Sequence, residues 1–91
     1  MRRKRVDHWV DGDSGFFTDG TRFRLARVNA PERWQRYADT ATRMAASMTS
    51  RNKGYVGIRV LARDRYGRQV VEMRNPDGSI NNRLLRKLRN L

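Results

Sequence analysis

The stretch FRLARVNAPE, residues 23–32, places oxygen donors at a strand end in a chain dominated by arginine. Phe23 and Leu25 alternate with Arg24 and Ala26, as in a half-buried strand, and Pro31 stops the ladder. Just past that end stand the amide of Asn29 and the carboxylate of Glu32, although acidic residues number only nine against twenty-one basic ones. Two further segments carry the same mixture: VDGDS at 10–14, with Asp11 and Asp13, and DRYGR at 64–68. Taken singly, each is a turn, because Asp and Gly are common turn residues. Taken together they supply hard oxygen donors and arginine forks, the groups that hold a divalent cation and grip a phosphate.

The surrounding composition narrows the partner. A formal charge of +12 and a pI near 11.6 call for something acidic. Eighteen of the basic residues are arginine and three are lysine. The planar guanidinium binds phosphate through two parallel hydrogen bonds, so nucleic acid is the expected partner. An acidic protein, or arginine codons favoured by a GC-rich genome, are the alternatives. With no cysteine there is neither a disulfide nor a thiolate metal site. No stretch nears the roughly 20 apolar residues of a membrane helix. MRRKRVDHW lacks the apolar run of a signal peptide, so the chain as written is expected to be intracellular and away from membranes, with secretion only if a leader was removed.

An apolar content of 37% with this charge shades toward disorder, but clear periodicity argues for a fold. Ninety-one residues allow one domain. Residues 1–5 are expected to be a mobile basic tail ahead of a domain at 6–91. Strands are expected at Val6–Val10, Gly15–Thr18, Thr21–Val28, Tyr55–Leu61 and Arg68–Met73, with a hairpin at Asp19–Gly20. Between the third and fourth, Tyr37, Ala41, Met44, Ala45 and Met48 fall at helical spacing, and Gly54 follows as a stop. Ser79 caps a last helix whose stripe is Ile80, Leu84, Leu85, Leu88 and Leu91. Five short strands with a helix between the third and fourth predict an α+β fold: a five-stranded OB-fold-like barrel with two α-helices. Leu88 and Leu91 are expected to stay uncovered, giving a loose chain end or self-association through the last helix.

In chain order the sequence reads D-G-D-S, R-L-x-x-x-N-x-P-E, D-R-Y-G-R, then N-x-x-L at Asn81–Leu84 or Asn82–Leu85. This order and spacing resembles the staphylococcal nuclease (thermonuclease) family from about Val6 to Leu88. The resemblance implies the same barrel and calcium-dependent cleavage of DNA and RNA with little sequence preference, leaving 3′-phosphates. By resemblance, Asp13, Asn29 and the backbone carbonyl of Ala30 are the calcium ligands. Glu32 falls at the carboxylate that orients or deprotonates the attacking water, and Arg24 and Arg68 at the arginines on the scissile phosphate. Arg65 and Tyr66 match positions near another phosphate of the substrate, for which a single strand is expected.

The chemistry of the residues agrees with those positions. Phosphodiester hydrolysis needs a nucleophilic water and neutralisation of a doubly negative transition state, which a hard cation and two arginines supply. Three features depart from the family pattern. Asn29 stands where a carboxylate is usual, Arg27 occupies a place that is usually small or apolar and is expected to face substrate or solvent, and the sequence as written stops at the second helix, before the place of the family's third helix with base-stacking aromatics. Trp34, beside Glu32, is a candidate to stack on a base, whereas Trp9 is expected in the core and His8 on the surface. The alternative function is a catalytically weak or inactive OB-fold module that binds single-stranded nucleic acid.

Overall fold

Alternation of apolar and charged residues, as at Phe23 and Leu25, recurs along the strands and gives the sheet one greasy face to wrap inward. The computed structural model describes residues 1–91. Strands β1 (Arg2–Asp11), β2 (Ser14–Phe17) and β3 (Arg22–Leu25) form an antiparallel meander. Helix α1 (Ala38–Ser50) follows, then β4 (Tyr55–Arg63), β5 (Gln69–Asn75), the two-residue β6 (Gly78–Ser79) and α2 (Ile80–Arg89). The order across the sheet is β3-β2-β1-β4-β5-β6, and a parallel pairing of β3 with β5 closes the first five strands into a barrel. This is the expected OB-fold-like α+β barrel with two helices.

Inside the barrel, Phe17, Phe23, Leu25, Val56, Ile58, Val71 and Met73 pack together, with Ala45 and Met48 of α1 and Ile80 and Leu84 of α2 against them. The face of α1 is built from small residues, Ala38, Ala41 and Ala45, which lets the helix come close. Gly12 completes that approach. A Cβ there would stand 2.7 Å from the Ala30 Cβ and 2.8 Å from the Ala41 Cβ. The β1–β2 turn, the Asn29–Ala30 loop and α1 therefore meet at one point that admits only glycine.

Several boundaries differ from expectation. Residues 2–5 are no tail: Arg2, Arg3, Lys4 and Arg5 pair with Ile58, Gly57, Val56 and Tyr55 of β4. Ladder bonds are made by backbone, so the strand forms with Arg2, Arg3 and Arg5 exposed and only the Lys4 side chain largely covered. Lys4 pairs with Asp19 and sits over Phe17. β3 ends at Leu25 because Arg27 takes a left-handed turn, φ 66°. Tyr37 leaves the helical stripe for the same reason: at φ 69° it is the residue before α1, and it is exposed.

Ser79 does cap α2, its hydroxyl accepting the Asn82 amide at 3.1 Å. Leu88, expected to be uncovered, packs partly buried against the core, and Leu91 alone of the stripe is exposed. The open stripe that suggested self-association is therefore largely closed. No helix is long and apolar enough to cross a membrane.

Candidate active site

The mouth of the barrel is assembled where β1 turns into β2 against the end of β3. The Leu25 amide donates to the Asp13 carbonyl at 2.8 Å, and Ser14 lies opposite Arg24 across the β2–β3 ladder. Asp13, 8% exposed, accepts the Ala30 amide on Oδ2 at 2.9 Å and lies 3.8 Å from the Arg24 guanidinium. Arg24 is aimed by two backbone carbonyls, Leu25 at 2.8 Å and Val28 at 3.0 Å, and donates to Asn29 Oδ1 at 2.8 Å. Asp13, Arg24, Asn29 and Ala30, four of the residues singled out in the sequence, are thus in direct contact.

Asp11 joins them, and the sequence had offered it only as a turn residue. Its Oδ1 accepts the Asp13 amide at 3.1 Å and the Ser14 hydroxyl at 2.7 Å. The signal for it was the D-x-D spacing, which returns the second carboxylate to the side of the first across a tight glycine turn. Burial, then the hydrogen bond to Asp11 and the charge of that neighbour, push the Asp13 carboxyl up to about 7, against the downward pull of the Ala30 amide and Arg24. Burial also acts upward on Asp11, but its hydrogen bonds from Asp13 and Ser14 win and hold it below the usual carboxylate range.

No group of three or more acidic, histidine or cysteine side chains forms a metal cluster. What gathers is two carboxylates, the Asn29 amide oxygen and the Ala30 loop. All are hard oxygens, and such a set fits calcium or magnesium better than a softer metal.

A second cluster sits on the β4–β5 turn. Asp64 accepts the amides of Tyr66 at 3.0 Å and Arg68 at 2.9 Å, and the Arg68 Nε at 2.7 Å. Burial works to raise the Asp64 carboxyl, yet these bonds outweigh it and hold it low. Gly67 closes the turn at φ 81°. Arg65 donates to the Tyr66 hydroxyl at 2.8 Å, and both Arg65 and Arg68 lie over the Tyr66 ring, 5.0 and 5.4 Å from its centre.

The two clusters share one seam. Phe23 pairs with Gln69 and Arg24 with Val70, and Arg22 reaches the Tyr66 carbonyl at 3.2 Å. Phe23, Leu25 and Val71 point inward, so alternation puts Arg24 and Arg68 on the outer side of this seam. Two residues along and one strand across separates their Cα atoms by roughly 8 Å, at ~3.3 Å per residue and ~4.8 Å per strand.

Glu32 is not drawn into either cluster. It is exposed on a turn where its amide donates to Gln35 Oε1 at 2.7 Å and its carbonyl accepts the Gln35 amide at 2.8 Å, while its carboxylate has no partner. Trp34 beside it is 82% exposed. Arg27 is exposed to solvent, as expected, and there it pairs with Glu72 and donates to Asn82 Oδ1 at 3.2 Å. Trp9 packs edge-on to Phe23, with its indole N–H on the Thr49 hydroxyl at 3.1 Å, and His8 is an exposed neighbour of Asp7.

The class defined by this architecture is an OB-fold-like barrel with acids and arginines converging at its mouth. Comparison with known proteins gives it a family: residues 22–87 match the family described as staphylococcal nuclease homologue. The chain is also 35% identical over 77 residues to a protein of Escherichia coli O157:H7 named as an uncharacterized endonuclease. That alignment takes in 81% of this chain and 49% of the relative, so the chain spans about half the relative's length. The chain belongs to the staphylococcal nuclease family.

Proposed function

We propose that this domain is a calcium-dependent phosphodiesterase acting on single-stranded DNA and RNA with little sequence preference and leaving 3′-phosphates. The observation that carries this reading is the contact of Asp13, Asn29 and the Ala30 loop with Arg24, which sets hard oxygens beside a guanidinium at the mouth of the barrel. Asp13, Asn29 and the Ala30 carbonyl would hold a calcium ion, with Asp11 beside Asp13; when bound, the cation would supply acidification of a water and neutralisation of phosphate charge. Arg24 and Arg68, on one side of the β3–β5 seam, take oxygens of the scissile phosphate. Glu32, whose carboxylate is free to turn, receives the proton of the attacking water once substrate brings the two within hydrogen-bonding reach. Arg65 and Tyr66 meet the next phosphate.

The rival reading is a module that binds a single strand without cutting it. It is favoured by the amide at Asn29 and by Glu32 standing apart. Incubating purified protein with labelled single-stranded DNA in calcium or in chelator separates the two. The nuclease reading expects calcium-dependent products whose 3′-phosphate is visible by mass spectrometry; binding with no products in either condition would end it.

Asn29→Asp sharpens the same question. An amide keeps the oxygen but surrenders ionic attraction to the metal, and affinity follows ligand charge. The new carboxylate would also pair with Arg24, which already donates to this side chain. Calcium binding is expected to tighten roughly 10- to 100-fold, about 1–3 kcal/mol. Asp13→Ala should erase the gain. Calorimetry giving equal calcium affinities for the wild type and the Asn29→Asp variant would mean that Asn29 does not touch the metal.

A further inference from the structure

We propose that the outer face of β1, β4 and β5 is a second nucleic-acid site, which holds the phosphate backbone of a single strand away from the mouth. The inference rests on nucleic acid being the partner, as above, but not on cleavage. Val6, Val56, Ile58 and Met73 point into the barrel, so alternation sends Arg3, Arg5, Tyr55, Arg59 and Arg74 to the outside. Arg3 and Arg74 flank Gly57 from the two neighbouring strands, and Arg5 lies opposite Tyr55.

These arginines make no ion pairs and are partly ordered in advance, and the one acid opposite them in the ladder is Glu72, across from Arg59. The guanidinium groups of Arg3 and Arg5 lie 4.5 and 5.5 Å from the centre of the Tyr55 ring, and Arg5 Nε donates to the Lys53 carbonyl at 3.1 Å. The nearby acids are engaged elsewhere: Asp19 with Lys4, Glu72 with Arg27, Asp7 with His8, and Asp77 with Arg51. None of Arg3, Arg5, Arg59 or Arg74 has an ion-pair partner. Like charges set side by side on a sheet repel, and neither Asp19 nor Glu72, each paired with another cation, fully relieves that repulsion here. A polyanion does.

Arginine rather than lysine, and the spacing, choose the polyanion. Arg3 and Arg5, two apart on one strand, stand about 6.6 Å apart, which is comparable to the step between phosphates of an extended single strand. Shallow depressions lie on either side, one lined by Arg3, Gly57 and Arg74, the other by Arg3, Arg5 and the Lys4–Asp19 pair, with Tyr55 in both. Two arginines already lie over the Tyr55 ring, so the site tracks backbone and does not read bases. Arg3 and Asp11 are near opposite ends of β1, roughly 25 Å apart along a straight strand. A nucleic acid must be several nucleotides long to reach both, within the ~4–16 nucleotides that an OB fold covers.

The test uses metal-free binding, so it stands whether or not the protein cuts. Fluorescence anisotropy is measured with a labelled oligothymidylate of about twenty nucleotides and one of about four, in chelator, across a salt series. Arg3→Ala/Arg5→Ala is compared with Arg86→Ala/Arg89→Ala, which removes equal charge from α2. The β1 variant should bind the long strand roughly 10- to 30-fold more weakly near 0.1 M salt, and its log–log salt slope should be shallower by about 1.4, two phosphate contacts at ~0.7 each. The α2 variant should keep the wild-type slope, and the short strand should bind all three proteins alike. If circular dichroism shows the β1 variant unfolded, Arg59→Gln/Arg74→Gln is read in its place by the same criteria. Equal losses from the β1 and α2 variants would reduce the effect to net charge and overturn the proposal. So would an unchanged long-strand affinity accompanied by lost binding to phosphatidylserine vesicles, which would make the face a membrane contact.

Discussion

Arg68→Ala is expected to lower calcium-supported cleavage of single-stranded DNA by about 10²–10⁴, and Glu32→Ala by a similar factor, through loss of transition-state hydrogen bonds in one case and of the base in the other. Arg68 is a clean place to ask. The turn that carries it is closed without its side chain: the Asp64 carboxylate accepts the Tyr66 and Arg68 amides, and the Asp64 amide donates to the Arg68 carbonyl at 2.9 Å. Alanine removes the fork but not the scaffold. Charge grows on the phosphate only as the reaction proceeds, so the loss should fall on kcat more than on KM. Arg68→Lys restores charge without the two-pronged geometry and should recover only part of the rate. Metal-free affinity for a single strand should move little in any of these variants, because the arginines of the β1–β4–β5 face are untouched. Single-turnover kinetics with a labelled oligonucleotide checks all of this. Wild-type rates in both alanine variants would remove Arg68 and Glu32 from the chemistry.

Much of the barrel could be read from sequence because alternation and turn residues are local signals. Phe23 and Leu25 announce a strand, Asp19–Gly20 a hairpin and Ser79 a helix start, and each holds. Failures came where backbone pairing overrode side-chain character. Arg2–Arg5 looked like a solvated tail because no apolar residue interrupts it, yet β4 offered an edge and the ladder formed regardless of charge. The left-handed turns at Arg27 and Tyr37 had no glycine to advertise them.

The candidate site was legible to a different degree. Ordered motifs brought Asp13, Arg24, Asn29 and Ala30 to notice as a set, and the fold puts them in contact. Asp11 escaped because D-G-D is far more often a turn than a pair of ligands, and the local bonds that close the turn look the same in either case. The pairing of Arg27 with Glu72 spans forty-five positions, and no local pattern carries it. The parallel seam between β3 and β5 is likewise a long-range event, and it alone brings the NAPE and DRYGR segments together.

That seam depends on one buried amide, and Asn81→Leu is expected to cost about 3–5 kcal/mol of folding stability. Asn81 is fully buried on the first turn of α2. Its Oδ1 accepts the Met73 amide at 2.8 Å, and its Nδ2 donates to the carbonyls of Ala26 and Val71, each at 3.0 Å. One side chain thereby ties α2 to β5 and to the end of β3. Leucine is close in size, so the change opens little cavity and acts by removing partners. Val71 keeps a bond from the Ala26 amide at 2.9 Å, but the Met73 N–H and the Ala26 carbonyl lose theirs. Each buried group left unpaired costs about 1–3 kcal/mol, which is a large share of the ~5–15 kcal/mol total for a small domain. Asn81→Asp should be no better at neutral pH: a buried carboxylate would face two carbonyl oxygens. Its carboxyl pKa is raised in the folded state, so the penalty eases as acid protonates it and grows as pH rises through that value. The neighbouring Asn82 is the built-in control, being exposed with its amide oxygen on Arg27, and Asn82→Leu should shift stability by less than about 1 kcal/mol. Urea unfolding followed by circular dichroism measures both, with the midpoint falling for Asn81→Leu at unchanged slope. Similar midpoints for the two variants would move the anchor of the seam, and with it the support of Arg24 and Arg68, to contacts other than Asn81.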